Sequence, residues 1–351
     1  MRALRTMSPR LAFAATLLAL SLAVPRPAFG DVWSSAEGRA SQYRSVLATS
    51  DGVRATLYRY LPPAGPPSRT ILLLPDVGMT RHAFDFDGAG LAPFLQSAGW
   101  EVYVVEWRGT GRSEVPFGGY TLEDLLDGDA EAAFARASLE RSKIAVGGVG
   151  MGATFALSLA ARHADKVSAV LALQPLVAPD LSSEPLARAI DGLERSAPWL
   201  SLSALTRSSL FGERTWFELL YANDGSFAPR DYASLRQHVL APVSRRALRQ
   251  LADAARTRTL TLGGKGIAEV LRPWAGPTLL VFAPRDNVIH PEFAVPVRDL
   301  LPKEQQKVLV LDALANLKHD YGHLGMLLGK DAPAEVFGPV SKLLDEAGGP
   351  R

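Results

Sequence analysis

The chain has 351 residues, with 38 Lys and Arg against 36 Asp and Glu, and no cysteine. Its 47% apolar and 21% charged composition is that of a folded globular chain and excludes disordered, collagenous and coiled-coil classes. Without cysteine it has no disulfides, thiolate nucleophile, Cys-bound zinc or iron–sulfur cluster. Arg2, Arg5, Arg10 and Arg26 fall in the first thirty residues, which carry no acid; 38 less these four leaves 34 basic residues against 36 acidic ones. The remainder is slightly acidic and lacks the basic stripe of a nucleic-acid binder.

The N-terminus reads as an export signal. Three arginines in residues 1–10 precede an apolar run over 11–24, broken only by Thr16 and Ser21. Pro25 and Pro27 end the run, and Ala28-Phe29-Gly30 places small residues around a cleavage site. The run is short against the ~20 residues that span a bilayer. The expectation is a cleaved signal over 1–30, a mature domain over 31–351, release to the periplasm or the exterior, and no membrane span afterwards.

Strand-like and helix-like stretches then alternate. Residues 46–60 read as two strands around the turn Ser50-Asp51-Gly52, and 62–67 as a Pro-rich loop. Strands are expected at 71–74, 101–106, 144–146 and 167–173, with helices at 84–98, 122–139 and 153–164 between them. This order predicts an α/β fold with a mostly parallel central sheet and helices on both faces. Residues 178–272 break the pattern with short amphipathic helices and no convincing strand, as expected of an inserted helical cap. The cap's Trp216, Phe217 and Tyr221 read as apolar packing against the sheet domain, ahead of a ligand-facing lid. The alternation resumes with a strand at 278–282, a helix at 292–301, a strand at 307–311 and a helix at 334–347.

One turn carries chemical information. Gly148-Val149-Gly150-Met151-Gly152 follows a strand and opens a helix, the setting of the nucleophile elbow G-x-S-x-G. Gly150 stands where the serine belongs. Four further segments occur in order: Leu73-Leu74-Pro75-Asp76-Val77-Gly78, Glu106-Trp107-Arg108-Gly109-Thr110-Gly111-Arg112-Ser113, Ala283-Pro284-Arg285-Asp286-Asn287-Val288 and Asp320-Tyr321-Gly322-His323-Leu324. With them the chain resembles the α/β-hydrolase family, in its esterase/lipase-like branch, over residues 43–347. The resemblance implies that Asp286 orients His323, that His323 is the general base, and that the backbone N–H groups of Val77 and Met151 form the oxyanion hole. It also implies an acid two residues beyond the histidine, where this chain has Gly325.

Glycine at the elbow removes the attacking oxygen, and losing the nucleophile of such a triad costs on the order of 10⁶ in turnover. The sequence therefore predicts a pseudo-hydrolase that binds an apolar or acyl-type ligand, or a partner, beneath the cap. The alternative is an active hydrolase in which His323 and Asp286 activate water or a displaced hydroxyl, Thr154 or Ser113. Gly148, Gly150 and Ala153 also satisfy G-x-G-x-x-A, but the next strand runs into Gln174-Pro175 without the ribose-binding acid. His319 and His323 share metal-ligand spacing with no third ligand in view, and His319 reads as a surface residue. Gly263-Gly264-Lys265-Gly266 lacks phosphate-loop spacing. No cofactor or metal is expected.

Overall fold

The computed structural model describes residues 42–67, 69–180, 199–207, 209–211 and 214–347. The expected export signal and the first part of the expected cap lie outside them. Eight strands form the central sheet. They are β1 (Gln42–Ala48), β2 (Arg54–Tyr60), β3 (Arg69–Leu74), β4 (Trp100–Glu106), β5 (Ile144–Val149), β6 (Val167–Leu173) and, after the insertion, two more that end the sheet. Between β6 and those two, six short strands pair among themselves: β7 (Trp199–Ser201) with β10 (Pro242–Ser244), β8 (Ser209–Phe211) with β9 (Arg214–Thr215), and β11 (Thr261–Leu262) with β12 (Lys265–Gly266). The sheet closes with β13 (Thr278–Phe282) and β14 (Gln306–Val310), in the order β1-β2-β4-β3-β5-β6-β13-β14. Only β1/β2 and β2/β4 are antiparallel; the other neighbours are parallel.

Both faces are covered, so the central strands read as continuous apolar runs. Leu72 and Leu74 of β3 join one core with Trp107, Phe134, Phe155 and Trp274. Ile71 and Leu73 join the opposite core with Phe84, Leu95, Phe337 and Leu344. The elbow helix Met151–Arg162 lies close enough that a Cβ at Gly152 would overlap the carbonyl oxygens of Leu74 and Pro75.

Three expectations are corrected. The helix expected at 84–98 spans only Leu91–Ser97; Phe84 to Gly90 form a tight loop closed by the Phe86–Ala89 bridge, with Asp87 at φ 50°. The helix expected at 292–301 is two short pieces, Pro291–Ala294 and Val297–Leu300, because Pro296 lacks an N–H to continue the first. The insertion, expected to lack strands, holds the three short ladders among its helices. Two- and three-residue strands are too short to print an alternating pattern.

The insertion is seated on the loop after β3 by backbone hydrogen bonds. Ala241 N–H donates to Gly78 O at 2.8 Å, and Thr80 N–H donates to Val239 O at 2.9 Å. The parallel strands bring the loops after β3, β5, β6, β13 and β14 to their shared carboxyl ends, where open α/β sheets hold their ligands.

Candidate active site

Gly150 follows β5 directly and precedes the elbow helix, with φ 61° and ψ −127°. That left-handed conformation is strained for any residue with a side chain, and it is the sharp strand-to-helix turn of a nucleophile elbow. Gly150 N–H donates to Leu173 O at 3.0 Å, tying the turn to the end of β6.

Asp286 and His323 come together. His323 Nδ1 donates to Asp286 Oδ2 at 2.6 Å, and neither side chain is exposed. The other oxygen of Asp286 accepts the N–H groups of Val288 and Ile289, both at 2.8 Å. Gln174, at φ 46°, brackets this loop: its side chain accepts from Ala283 N–H and donates to Ile289 O, each at 2.8 Å. The residue that fails as a ribose-binding acid thus holds the acid loop in place.

The N–H groups of Val77 and Met151 also converge, and the point they share is occupied by the protein itself. Asp76 Oδ1 accepts from Val77 N–H and from Met151 N–H, both at 2.8 Å. Asp76 Oδ2 lies 3.5 Å from His323 Nε2, close enough for an ion pair and too long for a well-formed hydrogen bond. Nε2 is buried with no hydrogen-bond partner. A Cβ on Gly150 would overlap the Asp76 carboxyl carbon and both its oxygens. The carboxylate therefore fills the space a side chain at position 150 would need and takes both N–H groups. The amino end of the elbow helix favours a negative group there.

Burial opposes charge on His323, but Asp286 and then Asp76 outweigh it and push its pKa up to about 10. At neutral pH the imidazole is protonated between two carboxylates, a state that cannot act as a general base.

The displaced hydroxyls are corrected. Thr154 Oγ1 donates to Leu176 O at 2.7 Å, and Ser113 Oγ donates to Glu106 O at 2.5 Å while accepting Thr56 N–H at 2.9 Å. Both are buried and committed to backbone. His319, expected at the surface, is half-buried, with Nε2 3.1 Å from Asp331 Oδ2 and no part in the His323 cluster. Among the described residues no group of His, Asp and Glu is placed to hold a metal ion, and no helix is long and apolar enough to cross a membrane.

Sequence reasoning missed the insertion's contribution. Gly325 leaves room for an acid supplied from elsewhere: a Cβ there would overlap Asp224 Oδ2, which accepts Gly322 N–H at 2.7 Å. Asp224 Oδ1 is held by Ser226 N–H and Oγ at 3.0 and 2.6 Å. Asn223 donates to Arg285 O at 2.8 Å, so one short segment of the insertion braces both the Asp286 loop and the His323 loop. In the aromatic cluster, Phe217 packs in the core as expected, while Tyr221 stacks on it and meets the His323 ring edge-on at 6.1 Å.

The fold is shared with solved structures of low sequence identity. An esterase from Thermogutta terrifontis superposes at TM-score 0.61 and 19% identity, covering 88% of this chain and all of its own. A carboxylesterase of the thaumarchaeon Nitrososphaera gargenis gives 0.62 and 17%, covering 86% and 98%. A monoacylglycerol lipase from Paleococcus ferrophilus gives 0.57 and 16%, covering 87% and 99%. No curated protein matches the sequence. A family model described as serine aminopeptidase, S33, matches residues 65–320, which include Asp76, Gly150 and Asp286 and stop short of His323. With most of its length matched, and with a mostly parallel eight-stranded sheet carrying these loops at its carboxyl edge, the chain belongs to the serine aminopeptidase S33 family of α/β-hydrolase proteins.

Proposed function

We propose that the chain is an exported pseudo-hydrolase that holds a ligand beneath its cap and forms no acyl-enzyme. One observation carries this reading: the Asp76 carboxylate occupies both the N–H pair and the space of the missing serine. An ester or peptide carbonyl cannot place its oxygen between Val77 and Met151 while Asp76 is there, and no elbow hydroxyl exists to attack it. Two carboxylates around one imidazolium leave the site net negative, which disfavours an anionic head group and favours a neutral, apolar ligand. Export is supported by the arginine, apolar and small-residue order of residues 1–30.

The test is p-nitrophenyl ester hydrolysis, acetate through octanoate, by the mature protein, Gly150→Ser and the double variant Asp76→Gly/Gly150→Ser. The first two are expected to be inert, because a serine at 150 meets the Asp76 carboxylate. The double variant is expected to gain on the order of 10²-fold or more, the value of a reopened oxyanion hole. Parental ester turnover that disappears in His323→Ala would overturn the reading.

A further inference from the structure

We infer that β14 is a self-association edge: two copies of this chain pair β14 against β14, antiparallel about a two-fold axis at Leu309, and join their central sheets into one.

The edge is open and regular. β14 pairs with β13 in unbroken parallel register from Gln306 to Val310, and Leu311 N–H continues the ladder by donating to Phe282 O at 2.9 Å. Among the described residues no strand pairs with its other side, so N–H and C=O groups there face outward. Such edges are commonly blunted by a proline, a bulge or a free lysine. β14 has no proline and no bulge, and its one charge, Lys307, is drawn onto Glu346 of the last helix at 2.6 Å. Val308 and Val310, on the face opposite Lys307, are each 40% exposed, and Leu314 in the next turn is 92% exposed. Three large apolar side chains therefore gather on a short stretch of chain beside an unpaired backbone. Gln306 shares the valine face and is already bonded to Arg298 O and Leu301 O, both at 2.8 Å, so that face of the strand carries no charge.

The strand is complementary to itself, which selects a second copy as the occupant. Antiparallel pairing about Leu309 sets Leu309 opposite Leu309, each Val308 opposite Val310, Lys307 opposite Leu311 and Gln306 opposite Asp312. No like charges meet, and both valines of each copy are covered by valines of the other. Moving the axis to Val308 would leave each Val310 opposite Gln306 and keep one valine pair in place of two. Cross-strand pairs of β-branched side chains stabilise a sheet, and like charges directly opposite weaken it. A foreign strand would find no charge on this face to recognise. The two-fold arrangement also closes at two copies, whereas pairing β14 with the β1 edge would propagate without end. The contact would reach the His323 loop. Tyr321 N–H donates to Leu311 O at 2.9 Å, and Ala313 N–H donates to Asp320 Oδ1 at 2.8 Å. A copy seated over 311–314 therefore braces the segment that leads to His323.

The test is sedimentation equilibrium of the mature protein across the micromolar range. One short strand pairing is a small interface, so a monomer–dimer equilibrium with a dissociation constant of roughly 1–100 μM is expected. Val308→Lys/Val310→Lys should weaken it by at least ~10²-fold, because lysines at 308 and 310 would face each other twice. Val308→Lys/Val310→Glu should stay within ~10-fold of the parent, because opposite charges then face each other in the Leu309 register. Circular dichroism and thermal unfolding check that both variants fold. Hydrogen exchange of the parent gives a readout that needs no variant: amides within 306–312 should slow as concentration rises through the dissociation constant. A parent that stays monomeric overturns the inference, as does one that grows into filaments. A dimer indifferent to the Lys/Lys variant places the interface elsewhere, and loss of the dimer in both folded variants overturns the Leu309 register.

Discussion

His323 stands between Asp286 and Asp76, and most of the site's behaviour follows from the proton this holds on the ring. Its pKa, raised to about 10 in the fold against ~6.5 for an unperturbed histidine, ties charge to stability. Protonated His323 favours the folded state. Its contribution is therefore complete below pH ~6.5 and disappears as pH rises through about 10. Urea unfolding between those limits should show stability falling with pH, with a shallower slope in His323→Gln. Asp76→Asn should move the imidazole titration downward by NMR, because one of its two charge partners is gone; an unmoved titration would mean Asp76 does not act on the ring. In the sequence Asp76 is only one residue of the segment from Leu73 to Gly78. That it turns back onto the elbow depends on Met151 N–H, which is 75 positions away along the chain.

At the scale of elements, the loops that carry Asp286 and His323 are braced by the insertion. Asp224 fills the space opposite Gly325 and accepts Gly322 N–H, so the two positions are complementary. Asp224→Ala should cost about 1–3 kcal/mol by leaving that buried N–H unsatisfied. Gly325→Ala should cost a similar ~1–3 kcal/mol through overpacking against Asp224. The double variant should cost less than the sum, since removing Asp224 makes room for the new methyl. Chemical denaturation of the three variants checks this, and strict additivity would show that the residues are not in contact. The elbow strand and helix were legible because a buried run meeting closely spaced glycines leaves few alternatives. The 223–226 segment was not: its polar residues resemble an ordinary turn until the histidine loop is folded against them.

For the whole molecule, alternating apolar and helical stretches with five motifs in order sufficed to name the fold. Parallel strands buried on both faces advertise themselves by composition. The export reading rests on residues 1–30 alone. Expression in a bacterial host followed by N-terminal sequencing should find the exported protein starting near Asp31, and an intact leader on exported protein would overturn the cleavage. By itself the sequence determined the sheet domain, the Gly150 turn between strand and helix, and the two loops that bring Asp286 and His323 together, because each is encoded by local pattern and chain order. The tertiary structure decided what fills the space beside Gly150, which hydroxyls are committed to backbone and which residues of the insertion hold the Asp286 and His323 loops. Those are contacts between residues dozens of positions apart, where a few ångströms decide whether the Val77 and Met151 N–H groups are open or taken by Asp76, and no periodicity or motif records such distances.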